Sequence, residues 1–278
     1  MIVGDLMLID GQPISSGSDP VEILKCLQRG WSFGDGLFET ITFNNGESAF
    51  WLLHMQRLQA ACQRLLFECP GLDELYEQSK LLAKQMHCVI RITLIRSGGQ
   101  GYYPGVNQSL SKVHTVVEVR EPPAVRKDLR LGIADMVLTS QPALAGVKHI
   151  SRLEQVLLAA EQESKKEQFD DLLVCDNKGY IVEAISSNLL VYVPNRGWLT
   201  PDLSKAGVTG VMREWLLRQG KVQTARVSQT VLTDAVAMAL INAVRGLEVV
   251  STLNDVKLTQ VHHCLSLQKE IHQVIGIE

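Results

Sequence analysis

The sequence predicts an α+β protein of two domains, on three observations. Antiparallel hairpin signals open one half and recur in the other, amphipathic helical repeats lie among them, and a proline-broken, charged stretch separates the halves. In chain order, residues 6–14 alternate around Asp10-Gly11, as a tight hairpin does. Residues 36–50 read as two apolar strands joined at Asn44-Asn45-Gly46, residue types that accept the positive φ of a hairpin turn. Leu52, Leu53, Met55, Leu58, Ala61, Cys62, Leu65 and Leu66 recur at helical spacing, with Gln56, Gln59, Gln63 and Arg64 on the other face. A second helix over 72–86 leads into strands at 89–96 and 114–119, separated by a long loop rich in Gly and Tyr; loops of that length are commonly functional.

Glu121-Pro122-Pro123 breaks the regular pattern and the charged stretch 126–130 follows. The expected domains are therefore residues 1–121 and 129–278, with 122–128 as linker. The second domain opens with a strand near 131–136. Ser151-Arg152-Leu153-Glu154 has the form of a capping box and predicts a helix over about 152–168. Residues 172–175 pair with 180–193 across Asp176-Asn177-Lys178-Gly179. Helices near Thr209 and 230–237, a strand near 239–242 and a C-terminal helix complete the pattern, without internal repeats.

Charge and composition exclude several function classes. Thirty acidic residues against 27 basic ones leave a net charge of -3, so the basic field of a nucleic-acid binder is lacking. No run approaches the roughly 20 apolar residues that span a bilayer. The N-terminus shows neither a basic leader nor a cleavage site, and the expected location is the cytoplasm. Six scattered cysteines without a C-x-x-C pair read as reduced core thiols, and the seven histidines form no ligand set, so no metal is expected.

Lys148 stands in the apolar stretch Leu144-Ala145-Gly146-Val147-Lys148-His149-Ile150. Desolvation favours a neutral amine, the form that bonds to carbonyl carbon, but a lysine snorkelling at a strand end would look the same. Glu183 lies within Ile181-Val182-Glu183-Ala184-Ile185. It is either an edge residue facing water or a buried carboxylate that needs a cation, such as a protonated ring nitrogen. Ala206-Gly207-Val208-Thr209-Gly210 opens a helix and presents amides to an anion, unless the glycines only turn the chain and Thr209 only caps it. Asn242-Ala243 and Arg57 would add donors to the same anion. Gly34-Asp35-Gly36 is too short for a dinucleotide fingerprint, Gly98-Gly99-Gln100-Gly101 lacks the lysine of a nucleotide-phosphate loop, and no G-x-S-x-G elbow occurs.

In order, Phe33-Gly34-Asp35-Gly36-Leu37-Phe38-Glu39-Thr40, His54-Met55-Gln56-Arg57-Leu58, Gly146-Val147-Lys148-His149, Glu183-Ala184-Ile185-Ser186-Ser187-Asn188-Leu189 and Gly207-Val208-Thr209-Gly210-Val211-Met212-Arg213 resemble the fold-type IV pyridoxal-phosphate family. That family holds branched-chain and D-amino-acid aminotransferases and aminodeoxychorismate lyases. The resemblance implies a D-amino-acid aminotransferase-like α+β fold, with a smaller N-terminal domain, a larger C-terminal one, pyridoxal 5'-phosphate between them, and a homodimer. It implies Lys148 as the Schiff-base lysine, Glu183 opposite the pyridine nitrogen, and Arg57, Val208, Thr209, Asn242 and Ala243 around the phosphate. Lys148-His149-Ile150-Ser151-Arg152-Leu153-Glu154-Gln155 is closest to the lyase pattern. The implied reaction is elimination of pyruvate from aminodeoxychorismate to give 4-aminobenzoate for folate synthesis, with Thr40, Arg96 and Tyr102 in the substrate pocket. Where lyases often show R-G-x-G-x-R-G-Y, this chain reads Arg96-Ser97-Gly98-Gly99-Gln100-Gly101-Tyr102, with Gln100 in place of an arginine. An aminotransferase would use the same lysine and carboxylate, and a catalytically silent cofactor-binding protein would keep the phosphate site.

Overall fold

Strand β1 (Met7–Ile9) turns at Asp10-Gly11 into β2 (Gln12–Pro13), with Leu8 opposite Pro13 and both turn residues at positive φ. The structure, a computed structural model, describes residues 7–14, 17–105 and 111–276. Leu6, where the first hairpin is expected to begin, and part of the Gly/Tyr loop lie outside the described residues.

Helix α1 (Pro20–Phe33) is absent from the sequence-based expectation, yet its end signals are all present. The Asp19 carboxylate accepts from the Val21 amide at 2.9 Å, Pro20 presets the first-turn φ, and Gly34 closes the helix at φ +65°. Strand β3 (Gly36–Phe43) follows. The partner strand expected after Asn44-Asn45-Gly46 does not form. Asn44 and Glu47 exchange a single pair of backbone bonds, and the chain enters helix α2 (Trp51–Leu65), whose Met55, Leu58, Ala61 and Cys62 are buried. Helix α3 (Leu72–Ala83) and the long strands β4 (Cys88–Gly98) and β5 (Ser111–Arg120) complete an antiparallel sheet of order β2-β1-β5-β4-β3.

Register decides what each face of this sheet carries. Phe38 pairs with Thr93 and Thr40 with Arg91, so Phe38, Thr40, Arg91, Thr93 and Ile95 share a face, the one Gly30 of α1 packs against. The other face carries Ile41, Phe43, Ile90, Ile92 and Leu94, all essentially inaccessible and each contributing about 1.5–3 kcal/mol of burial.

The remaining strands are β6 (Leu129–Leu138), β7 (Asp171–Asp176), β8 (Ile181–Ala184), β9 (Asn188–Val193), β10 (Gly197–Pro201), β11 (Gln223–Ala225), β12 (Ala237–Asn242), β13 (Gly246–Leu253) and β14 (Val256–Lys257). Their order is β11-β10-β9-β12-β13-β6-β7-β8, with β14 on β13. The sheet curls onto itself, because the Ile181 amide donates to the Val227 carbonyl at 2.8 Å just beyond β11. Leu131, Leu173, Leu189, Val191, Met238, Leu240 and Val250 fill it. Helices α4 (Leu153–Ser164), α5 (Val211–Arg218), α6 (Gln229–Thr233) and α7 (His262–Ile275) accompany these strands. Helix α4 is shorter than its expected 152–168, since turns through Lys165 and Gln168 replace its last helical turn.

The chain divides into two units, Met1–Pro122 with Lys148–Arg152, and Pro123–Val147 with Leu153–Glu278. Lys148 belongs with the first unit, whereas the sequence places it in the C-terminal domain. The expected linker is anchored: Arg126 bonds both oxygens of buried Glu248, at 2.9 and 2.8 Å, and reaches Asp171 at 3.0 Å. Buried carboxylates require such a cation, and residues 123–128 are where the chain supplies it.

Candidate active site

Lys148 is positioned by an added strand. The Phe38 amide donates to the Lys148 carbonyl at 2.9 Å and the Ile150 amide to the Gly36 carbonyl at 3.0 Å, so residues 148–150 pair along the outer edge of β3. Glycine at 36 permits this approach, because a Cβ there would lie 2.6 Å from both the Ile150 side chain and the Leu94 carbonyl. The half-buried Lys148 carries its Nζ 4.3 Å from the centre of the Phe38 ring. Arg91 stands 4.1 Å and Arg152 5.7 Å from that centre. Thr40 shares this sheet face and is directly opposite Arg91.

Glu39 points the other way and gathers a buried network that the sequence reading missed. Its carboxylate accepts from Arg57 Nε at 2.8 Å and from Arg57 Nη2, and His54 Nδ1 lies 2.6 Å away. Burial pushes the Glu39 carboxyl up, but the Arg57 charge and the His54 and Arg57 hydrogen bonds prevail and hold it at about 2. Burial lowers His54 more than Glu39 raises it, so a neutral imidazole donates to an ionised carboxylate. Arg57 is thereby fixed in direction. The signal was a carboxylate inside an apolar strand, the same oddity that marked Glu183.

Arg96, expected in the substrate pocket, lies on the other face of the sheet. It alternates away from Arg91, is buried, donates to the Leu65 carbonyl at 2.6 Å and covers the Phe67 ring at 4.1 Å. It ties α2 to the sheet rather than joining the Lys148 group. Tyr102 is 86% exposed and contacts the Phe33 ring at 5.2 Å.

In the second unit three turns converge on Glu183. The Val208 amide donates to Glu183 Oε2 at 2.9 Å, and Asn188 Nδ2 donates to the Val208 carbonyl at 3.0 Å. Gly207, at φ +81°, allows this, since a Cβ would meet Val182 at 2.6 Å and Glu183 Oε2 at 3.1 Å. Thr209 Oγ1 donates to the Gly146 carbonyl at 3.0 Å. Asn188 pairs with Ile241, beside Asn242, and Asn242 Nδ2 donates to Ser187 Oγ at 2.9 Å. Asn242 Oδ1 accepts from the Val244 and Arg245 amides and shapes the turn that includes Ala243. Glu183, Val208, Thr209 and Asn242 are thus gathered in one place. The Val208 amide differs from expectation, because its hydrogen goes to Glu183 rather than outward. Helix α5 starts at Gly210 without a side-chain cap, so its dipole end remains for an anion.

Residues 36–252 match the family described as amino-transferase class IV, which is more than half of the chain. The chain belongs to this family. Among class IV relatives, aminodeoxychorismate lyase of Vibrio harveyi is 31% identical over 238 residues, covering 81% of this chain and 86% of that one. The crystal structure of 4-amino-4-deoxychorismate lyase from Pseudomonas aeruginosa superposes with a TM-score of 0.83 at 29% identity, covering 96% of this chain and 98% of its own. Branched-chain amino acid aminotransferase of Escherichia coli shares the fold, with a TM-score of 0.79 at 18% identity over 97% and 92% of the two chains.

Proposed function

We propose that this class IV protein is a pyridoxal-phosphate-dependent 4-amino-4-deoxychorismate lyase, forming 4-aminobenzoate and pyruvate for folate synthesis. The observation that carries the reading is similarity of about 30% along nearly the whole chain to two lyases of that name, where the aminotransferase is similar at 18%. The side chains fit the cofactor. Glu183 is a buried carboxylate able to hold a proton on a ring nitrogen, Gly207 and Gly210 let the Val208 turn pack closely against Glu183 and Asn188, and the uncapped α5 terminus suits a phosphate. Val208, Thr209, Asn242, Ala243 and Arg57 are assigned to the phosphate, and the Val208 amide would change acceptor from Glu183 to do so. When bound, pyridoxal phosphate supplies a conjugated ring that accepts an electron pair from the substrate carbon bearing nitrogen.

The chain's own residues do the rest. Lys148 Nζ would hold the cofactor at rest and, as a free amine, would take the proton from the substrate carbon bearing nitrogen. Loss of the enolpyruvyl group then leaves an aromatic ring, and no 2-oxo acid is consumed. Glu39 and His54 hold Arg57 in place, which keeps the phosphate anchor from swinging away.

Borohydride treatment of the loaded protein, followed by peptide mass analysis, is expected to fix the cofactor on Lys148. Lys148→Ala should abolish that adduct and lower turnover by at least about 10²- to 10⁴-fold. An adduct on another lysine would refute the assignment. We also assign a homodimer in the cytoplasm. Exposed Trp31, Phe33 and Tyr102 offer apolar area of the kind subunits cover, and six free thiols accord with a reducing compartment. Sedimentation equilibrium tests the dimer.

A further inference from the structure

Asp10, His114 and Ser97 form a hydrogen-bonded chain in the first unit, and the chemistry above uses none of them. Asp10 is in the turn between β1 and β2, His114 on β5 and Ser97 near the end of β4. Asp10 Oδ2 lies 2.7 Å from His114 Nδ1, and His114 Nε2 lies 2.8 Å from Ser97 Oγ. A carboxylate only accepts, so in the neutral imidazole Nδ1 carries the hydrogen and Nε2 accepts from the serine hydroxyl. Strand register brings the pair together, because Ile95 is opposite His114 and Ser97 is therefore diagonal to it on the same face.

Docking the turn on the sheet does not require this chain. The Asp10 amide donates to the Thr115 carbonyl at 2.9 Å, and the Thr115 amide donates to Asp10 Oδ1 at 2.9 Å. Oδ2 is the oxygen that faces His114, with Lys112 Nζ 3.8 Å from it. The imidazole is buried, whereas Ser97 is half-buried and Gly98, Gly99 and Gln100 after it are exposed. Gly98 and Gly99 take φ of +80° and +70°, so the chain leaves β4 with no side chain at the two positions following the hydroxyl. A reagent can therefore approach Ser97 from the loop side while its base stays enclosed.

We infer that Ser97 is the nucleophile of a second reactive site, one that cleaves carboxylic esters, with His114 as its base and Asp10 positioning the imidazole. Such a constellation is defined by geometry and roles, and it recurs on unrelated folds. Ser97 Oγ bonds to the ester carbonyl carbon as its proton passes to His114 Nε2. The ester C–O bond then breaks, and the departing alcohol oxygen takes that proton. Water gives a proton to His114 and attacks the acyl carbon, and Ser97 Oγ leaves and regains its hydrogen. Ester and water are the only reactants. No G-x-S-x-G elbow marks the site, because its three residues come from three separate elements.

The test treats the cofactor-loaded protein with a fluorophosphonate, which bonds to serine hydroxyls activated by a base. Peptide mass analysis should find an adduct on Ser97 that is absent from Ser97→Ala. His114→Gln should slow its formation by at least about 100-fold. Asp10→Asn still offers an oxygen to Thr115, but its amide would donate to Nδ1 and favour the wrong imidazole tautomer. Labelling of Asp10→Asn should fall by at least about 100-fold while its thermal midpoint is retained, which a merely structural role would not produce. The wild type should also hydrolyse 4-nitrophenyl acetate at least about 10-fold faster than Ser97→Ala. If a variant fails to fold, the wild-type adduct and the Ser97→Ala comparison still decide. No adduct on Ser97 in the wild type, equal labelling in the wild type and folded His114→Gln, or equal ester hydrolysis by Ser97→Ala would overturn the inference. None of these readouts uses aminodeoxychorismate, so failure of the lyase reading would leave them unaffected.

Discussion

At the scale of single residues, His149 shows how the peptide carrying Lys148 responds to pH. Burial, with the Arg152 charge added, pushes its imidazole from an ordinary 6.5 down to about 4. The folded protein therefore binds fewer protons than the unfolded chain between those values. Stability from this group is complete above about pH 6.5 and is lost as pH falls toward 4. Thermal midpoints measured across that range should decline, and His149→Gln should flatten the decline; an unchanged slope would show that His149 titrates normally. Lys148 and Glu183 stood out because they interrupt apolar runs, and the structure half-buries the first and buries the second; the roles proposed for them came from the resemblance. The surroundings of Arg91 and Glu39 were not legible, because they depend on strand parity across β3 and β4, and parity becomes informative only once the register is known. The same parity places Arg96, five residues from Arg91, on the opposite face.

At the scale of elements, the hairpin signal at Asp10-Gly11 and the helical repeat of α2 predicted real elements, while α1 went unread. Its amphipathic periodicity and its caps were both in the sequence, although Val21, Leu24 and Trp31 are exposed in the structure. Asp19→Ala should cost about 1 kcal/mol through loss of the cap, read as a lower denaturation midpoint at constant m-value. No change would mean that packing on the sheet alone holds α1. The Asn44-Asn45-Gly46 turn formed without its second strand, because a turn signal specifies a reversal and leaves the next segment free to be strand or helix. Segment 148–150 shows the converse. Three residues with no strand signature complete a sheet edge because Gly36 leaves room for them.

At the scale of the whole molecule, two sheets of different topology each carry some of the candidate residues, and the chain changes unit between Val147 and Lys148. The proline-marked break near 122 was legible as composition. The return of 148–152 to the first unit was not, since it depends on pairing between residues more than a hundred apart. The second unit depends on Arg126, whose partners Glu248 and Asp171 are buried. Arg126→Ala leaves both carboxylates without it and should destabilise by about 3 kcal/mol, at the lower end for breaking a buried pair because Arg126 itself is part-exposed. Chemical denaturation checks this, and a loss under about 1 kcal/mol would mean that water or Arg245 replaces it. The central claim is tested most directly by mixing the cofactor-loaded protein with aminodeoxychorismate, without any 2-oxo acid, and measuring both products. Equal amounts of 4-aminobenzoate and pyruvate over many turnovers are the predicted result; no product, with amine transfer from a D- or branched-chain amino acid to an oxo acid instead, would contradict it.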